Sequence, residues 1–164
     1  MSLNEALLAE LKHEIANTRK MLERVPSDRL FWKPHEKSMS LGRLASHIAE
    51  LPIWLNMAIE QKELDGASNQ YVRFNGESTE AIIKMFDERI DSGIKALRTA
   101  TDETLDQMWT LRRGEQVIFQ LKRKVVLRNL VFNHLIHHRG QLSVYLRLLD
   151  VPVPGMYGPS ADEK

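Results

Sequence analysis

The chain has no cysteine. Disulfides, thiolate metal ligands and a cysteine nucleophile are therefore excluded, and any thiol chemistry must draw its thiol from a second molecule. It has almost no net charge: 23 Lys and Arg against 22 Asp and Glu leave +1. That balance argues against a dedicated nucleic-acid binder, and no nucleic-acid partner is expected. No apolar run approaches the roughly 18 residues of a membrane span. The first thirty residues are charged and amphipathic, without the apolar core of a signal peptide. A cytoplasmic protein with no membrane partner is the expectation. There is no internal repeat, low-complexity tract or linker. With 164 residues, 43% of them hydrophobic and 27% charged, residues 1–164 are expected to fold as one domain with a real core.

What is present is helical periodicity. A first helix is expected over roughly 3–24, with Ser2 and Glu5 at capping-box spacing and a stripe of Leu7, Leu11, Ile15, Thr18 and Leu22. Pro26 ends it. A second follows Ser40, a good N-cap, and runs to about 62 through Leu44, His47, Leu51, Trp54, Leu55 and Ala58. Pro52 should kink it or mark an irregularity. A third starts near Ser78 or Thr79 and carries Ile82, Ile83, Phe86, Ile90, Ile94 and Leu97, slightly weakened by Gly93. A short turn of helix follows Thr101. A fourth covers about 122–149. Between the last two, Met108–Leu121 alternates around Arg113-Gly114-Glu115 as a small hairpin would. Four amphipathic helices without strong strand patterning indicate an all-α four-helix bundle. The connections 25–39 and 63–78 are long enough to permit parallel crossovers, although periodicity does not fix the helix order.

The chemistry concentrates in Asn133-His134-Leu135-Ile136-His137-His138-Arg139-Gly140-Gln141. His134 and His138 stand four apart, on one helix face, where two imidazoles can converge on one ion. At about 100° per residue, Leu127, Leu130, Val131, Leu142, Tyr145 and Leu149 share that direction, so the rings are expected to point into the core. An unpartnered polar ring there is costly. His47, flanked by Leu44 and Leu51, supplies a third imidazole from a second helix. Three neutral imidazoles leave the charge of a divalent ion uncompensated. An open position on such an ion can lower the pKa of water to about 7 or hold a thiol as thiolate. Imidazole suits zinc, nickel, copper and iron, so the donor set does not choose among them. The glutamate of H-E-x-x-H is missing, which leaves a metalloprotease without its general base.

Around these ligands, Glu50 is placed to orient a ligand or accept a proton, His137 to assist as outer partner or proton carrier, and Gln141 to bond a ligand or substrate. Glu50 and His137 also have plainer roles, as a solvated carboxylate and an edge histidine. Trp54 lies near the metal face and is a candidate for lining a pocket. The basic residues Arg112, Arg113, Lys122, Arg123, Lys124 and Arg128 are either a solvated face or an attractor of anions. Cations at a helix start are mildly unfavourable, so they need a reason that the sequence does not supply.

The run His134-Leu-Ile-His137-His138-Arg139-Gly140-Gln141-Leu142, followed by Val151-Pro-Val-Pro-Gly155-Met-Tyr157-Gly158, resembles the DinB/YfiT-like family of metalloenzymes. The upstream Ser40-Leu-Gly-Arg-Leu-Ala-Ser-His47-Ile-Ala-Glu-Leu51 is similar to that family's second-helix motif. The resemblance spans nearly the whole chain. It implies an up-down-down-up bundle, a homodimer, and one divalent ion, zinc or nickel, on His47, His134 and His138. It further implies either transfer of a low-molecular-weight thiol such as bacillithiol to an electrophile, mycothiol-dependent isomerisation, or hydrolysis. The expected function is that of a metal-dependent enzyme acting on a small molecule, a thiol S-transferase or a hydrolase. The alternatives are a stress-related structural or interaction protein whose metal only stabilises the bundle, and a metal-free bundle with hydrogen-bonded core histidines.

Overall fold

A computed structural model describes residues 2–68 and 72–163. Helix α1 spans Leu3–Leu22 and opens with the expected capping box, in which the Glu5 carboxylate accepts the Ser2 amide at 2.8 Å. Helix α2, Leu41–Glu50, is capped by Ser40, whose hydroxyl oxygen accepts the Arg43 amide at 3.2 Å. Pro52 lacks an amide hydrogen and breaks the second helix outright, so α3 restarts over Ile53–Glu60. Helix α4, Thr79–Thr99, is capped by Ser78, and the short α5, Asp102–Asp106, by Thr101. The last rod begins as α6, Arg123–Leu127. It passes through a π-helical stretch, Arg128–Asn133, and continues as α7, His134–Leu148. Sequence periodicity at 100° per residue has no means of showing that interruption.

Cross-helix contacts give the order. Arg19 meets Asp87 at 3.1 Å and the Asn4 amide donates to the Arg98 carbonyl at 3.2 Å, so α1 and α4 run antiparallel. Glu10 meets Arg128 and Glu14 meets Arg139, so α1 and α6–α7 run the same way. His47 lies against His138, and the Ala58 carbonyl against Arg123, so α2–α3 opposes α6–α7. The bundle is up-down-down-up. Residues 61–78 are the true crossover, returning from the end of α3 to the opposite end of the bundle. The 25–39 connection, only slightly shorter, joins antiparallel neighbours and is pinned by Leu41 and Gly42 amides on the Trp32 and Leu30 carbonyls, each at 2.9 Å.

A three-stranded sheet closes the lower end. Strands β2, Met108–Arg113, and β3, Gln116–Lys122, form the expected hairpin, with Gly114 at φ 60° in its turn. The third strand, β1 over Glu63–Asp65, was not foreseen. It is three residues long, too short for alternation to register, and pairs parallel with β2. The core divides into two clusters, one around Leu44, Ile48, Phe86 and Leu142, the other around Leu11, Leu55, Trp109 and Phe132. Gly93 has a packing purpose: a Cβ there would stand 2.4 Å from Leu55 Cδ1, so its absence lets α3 approach α4.

Most of the basic stretch is spent inside the fold; exposed Arg113 makes no side-chain hydrogen bond or ion pair among the described residues. Arg112 binds Glu63 at 2.8 Å and Asp65 at 2.6 Å, tying β1 to β2. Lys124 and Lys122 both hold Asp106, at 2.8 and 2.9 Å, and their hydrogen bonds pull its pKa down to about 2. Arg123 is buried and donates to the Ala58, Ile59 and Gln61 carbonyls, capping the C-terminal end of α3. The cations at the start of α6 thus serve another helix's end and an acidic neighbour.

The helix that carries the histidines is fastened to α1 by a buried ion pair. Arg139 and Glu14 meet at 2.7 Å with side chains 3% and 7% exposed. The Tyr157 hydroxyl donates to Glu14 at 2.8 Å and accepts from Arg139 at 2.5 Å, which brings the C-terminal segment onto the same pair. Removing one partner strands a buried charge, so Glu14→Ala is expected to cost roughly 3–5 kcal/mol. Glu10→Ala, at the exposed Arg128 pair, should cost under about 1 kcal/mol. Urea denaturation of both variants checks this; equal losses would remove the special standing of the Glu14 pair.

Candidate metal centre

Two helices bring three imidazoles together. His47 projects from the last turn of α2, and His134 and His138 from the first turns of α7. One ligand atom from each lies within 4.8 Å of the others. The ring centroids are 5.2 Å apart for His47 and His134, and 4.6 Å for each of the other two pairs. An ion about 2.0–2.1 Å from each nitrogen needs donors about 3.4 Å apart, a spacing that small ring rotations reach.

Each ring is held from behind. His138 Nδ1 lies 2.7 Å from Gln141 Oε1, so Nδ1 donates and Nε2 is left as the free donor atom. The Leu130 carbonyl, inside the π-helical stretch, accepts from the His134 ring. His47 Nδ1 stands 3.8 Å from Glu50 Oε2. Outer acceptors of this kind fix the tautomer of metal-binding histidines. No hydrogen bond joins the three rings to one another among the described residues, so their facing nitrogens are not spent on each other. Burial disfavours the charged form of His138, and neighbouring imidazoles add to this, so its pKa falls to about 4; His134 is lowered for the same reasons. Neutral imidazole is the form that binds a metal.

The centre does not point into the core as the periodicity suggested. His138 is buried, but His47 and His134 are half-buried and sit at the bundle's edge. The buried face of α7 is formed by Leu135, Leu142 and Leu146, with Val131 before it, whereas Leu130, Tyr145 and Leu149 are only partly covered. The π-helical stretch shifts the phase of everything after it, so one wheel drawn across 127–149 merges two faces. His137 is exposed, its ring 4.9 Å from that of His138, and it stands outside the three-histidine group. Gln141 reaches His138, not His134.

Glu50 is 5% exposed. Its Oε2 accepts from Arg43 at 2.5 Å and its Oε1 from the Phe74 amide. It therefore links His47 to the crossover. Beside it opens a cleft of about 430 Å³, lined in part by Met39, Arg43, His47, Glu50, Trp54 and Met57. Trp54 does line it. Arg43 and the crossover residues Leu64 and Arg73, which complete its wall, carried no motif that could have marked them beforehand. Arg139, within the histidine run itself, turns to the opposite side of α7 and serves packing.

The family model for the DinB family matches residues 1–164. The uncharacterized protein YrdA of Bacillus subtilis (strain 168) is 26% identical over 157 residues, 95% of this chain and 89% of that protein. Among solved structures, a DinB-like protein from Bacillus cereus ATCC 10987 superposes with a TM-score of 0.72 at 25% identity, covering 93% of this chain and 97% of that one. The DinB-like protein YjoA of Bacillus subtilis gives a TM-score of 0.71 at 19% identity, over 97% and 99% of the two chains, a likeness of fold alone.

His134→Ala and His138→Ala should each sharply reduce bound metal in elemental analysis of untagged protein. His13→Ala and His35→Ala should not, since the first faces Asn17 and Tyr157 and the second a Lys37 amide. Full metal content in all four variants would sink the ligand assignment. A second expectation concerns acid. In chelator-treated protein the folded state keeps His138 neutral down to about pH 4, while the unfolded ring protonates near its ordinary 6.5. Below 6.5 the unfolded chain binds more protons, so stability should be full above that pH and decline as pH falls toward 4. Urea midpoints against pH measure this, and His138→Gln should show a shallower decline.

Proposed function

The chain belongs to the DinB family, and we propose that it is a metal-dependent enzyme in which His47, His134 and His138 hold one divalent ion, zinc or nickel, to activate a low-molecular-weight thiol or water. Thiol S-transfer to an electrophile is the leading reaction and hydrolysis the second. The observation that carries this proposal is the cleft. A structural zinc ion is normally enclosed by four protein ligands, whereas catalytic sites keep a position open. Here three imidazoles converge where a cavity of about 430 Å³ reaches His47, so space for a fourth, exchangeable ligand exists.

When bound, the ion supplies a Lewis-acid centre that favours the deprotonated form of a thiol or water. The chain's own residues do the rest. Gln141 holds the His138 ring through Nδ1, so that ring presents Nε2, and the Glu50 carboxylate stands 3.8 Å from His47 Nδ1. Met39, Trp54 and Met57 give the cleft soft, apolar walls that suit an organic substrate and limit water. Glu50 is the group in reach to accept a proton at the cleft floor, and exposed His137 beside His138 is placed to pass one to solvent. A protein without cysteine must receive its thiol from outside, which agrees with an S-transferase in the thiol-rich cytoplasm. Among the described residues no helix is long and apolar enough to cross a membrane. The homodimer implied by the family resemblance belongs to the same proposal.

The test is turnover of a panel of halogenated and ester electrophiles by metal-loaded protein, with and without added thiol. Transfer predicts no product without thiol. Hydrolysis predicts product without thiol, carrying isotope from labelled water. Metal-dependent melting together with no turnover in either condition would overturn the enzyme proposal in favour of a structural ion.

A further inference from the structure

Most cations near the lower end of this bundle have a protein partner, and one on the cleft wall does not. Arg112, Lys122, Lys124 and Arg128 each bind a carboxylate, and Arg123 binds carbonyls. Arg43, on the cleft wall, is likewise occupied, donating to the Phe74 carbonyl at 2.6 Å and to Glu50 at 2.5 Å. Arg73 also lines the cleft, yet it makes no hydrogen bond or ion pair among the described residues.

Its backbone is nevertheless held. The next residue, Phe74, is gripped on both sides: its amide donates to Glu50 and its carbonyl accepts from Arg43. Two residues further on, the Gly76 amide donates to Ser46 at 2.9 Å. The segment bearing Arg73 is thus fixed to α2, and through Glu50 to the ligand His47. Arg73 is exposed, but it leads into this anchored wall, and its unpaired guanidinium offers a planar fork for an anion at the cleft. The same cleft is lined by Trp54 and Met57, which give it apolar wall.

We propose that Arg73 is a specificity-determining residue: it binds the anionic group, a carboxylate or a phosphate, of a substrate whose apolar body lies against Trp54 and Met57 and whose reactive end reaches the three histidines. The proposal deepens the metal-enzyme assignment above by naming the class of substrate, and it rests on that assignment only for the position of the reactive end. Glu50 and Arg43 neutralise one another, so the anion is drawn to Arg73 and to the metal side of the cleft, not to Arg43.

Calorimetry on the full chain tests it with three matched probes: phenylbutyrate, phenylbutylphosphonate and the uncharged phenylbutyramide. Zinc-loaded wild type should bind at least one of the two acids roughly tenfold more tightly than the amide. The acid that gains identifies the anion as carboxylate or phosphate. Arg73→Gln should erase the preference, leave amide binding as in wild type and keep the metal content of wild type. Arg73→Lys should restore part of it. The proposal is overturned if neither acid binds at millimolar concentration, if acid and amide bind alike, or if the preference survives Arg73→Gln. In that last case its loss in His138→Ala would show that the ion itself takes the acid. Metal-free wild type separates the two claims: an acid preference that persists without zinc supports Arg73, whatever elemental analysis says of the metal.

Discussion

A single buried carboxylate organises the working half of this protein. Glu50 lies at the end of α2 with 5% of its surface exposed, where a charge needs close partners. It finds them in the Arg43 guanidinium one side and the Phe74 amide on the other. The first contact stiffens α2 against the cleft. The second favours one path for the long crossover, because residues 72–76 cannot leave the α2 surface without costing that buried carboxylate a hydrogen bond. The same side chain stands 3.8 Å from His47 Nδ1. Ligand orientation, cleft wall and chain path are therefore three consequences of satisfying one group, and a change at any of them is felt at the other two.

The opposite side of the centre is built on a different principle. Helix α7 has two polar edges and one apolar stripe. Its His134 and His138 edge faces α2, while Arg139, one residue on, faces α1 and is committed to Glu14 and Tyr157. Adjacent residues on a helix diverge by about 100°, so neighbouring sequence positions serve the three-histidine group and the anchor to α1 without competing. The π-helical stretch just before them adds a second service. It resets the phase of the rod and sets the Leu130 carbonyl where it accepts from the His134 ring. A regular helix over the same residues would hold either the upstream packing of Val126 and Leu127 or the histidine geometry, and the irregularity allows both.

That irregularity also explains what could be read from the residues and what could not. The helix starts at Ser2, Ser40 and Ser78 are legible because a cap is a local event, satisfied by residues three positions away. The break at Pro52 is legible for the same reason. The three-histidine group is legible because an H-x3-H pair and a histidine in a leucine stripe are helical spacings. Strand β1 is not legible: its three residues are strands only because Arg112 and the β2 edge recruit them from far along the chain. The depth of the histidines was misjudged because the wheel assumed one unbroken helix. Glycine 93 shows the same limit in miniature, since a propensity scale records its cost and only the Leu55 contact records its use.

Charge follows a comparable division between local and distant. In the sequence, Arg112 to Arg128 stands out as the one basic run, and it invites an anionic partner. In the fold, Asp65, Asp106 and Glu10 arrive from three separate segments to meet it, and the α3 carbonyls take Arg123. Arg73 sits in no run and attracts no notice in the sequence, yet it is the cation left facing the cleft. Density of charge along a chain measures how much neutralisation the fold must arrange; it does not locate the charge that remains. What remains is set by which side chains the backbone path leaves without a counter-charge, and in this bundle that path is dictated by Glu50. The anion specificity assigned to Arg73 and the orientation of His47 therefore share one physical origin, although they lie on different elements and are 26 positions apart in the sequence.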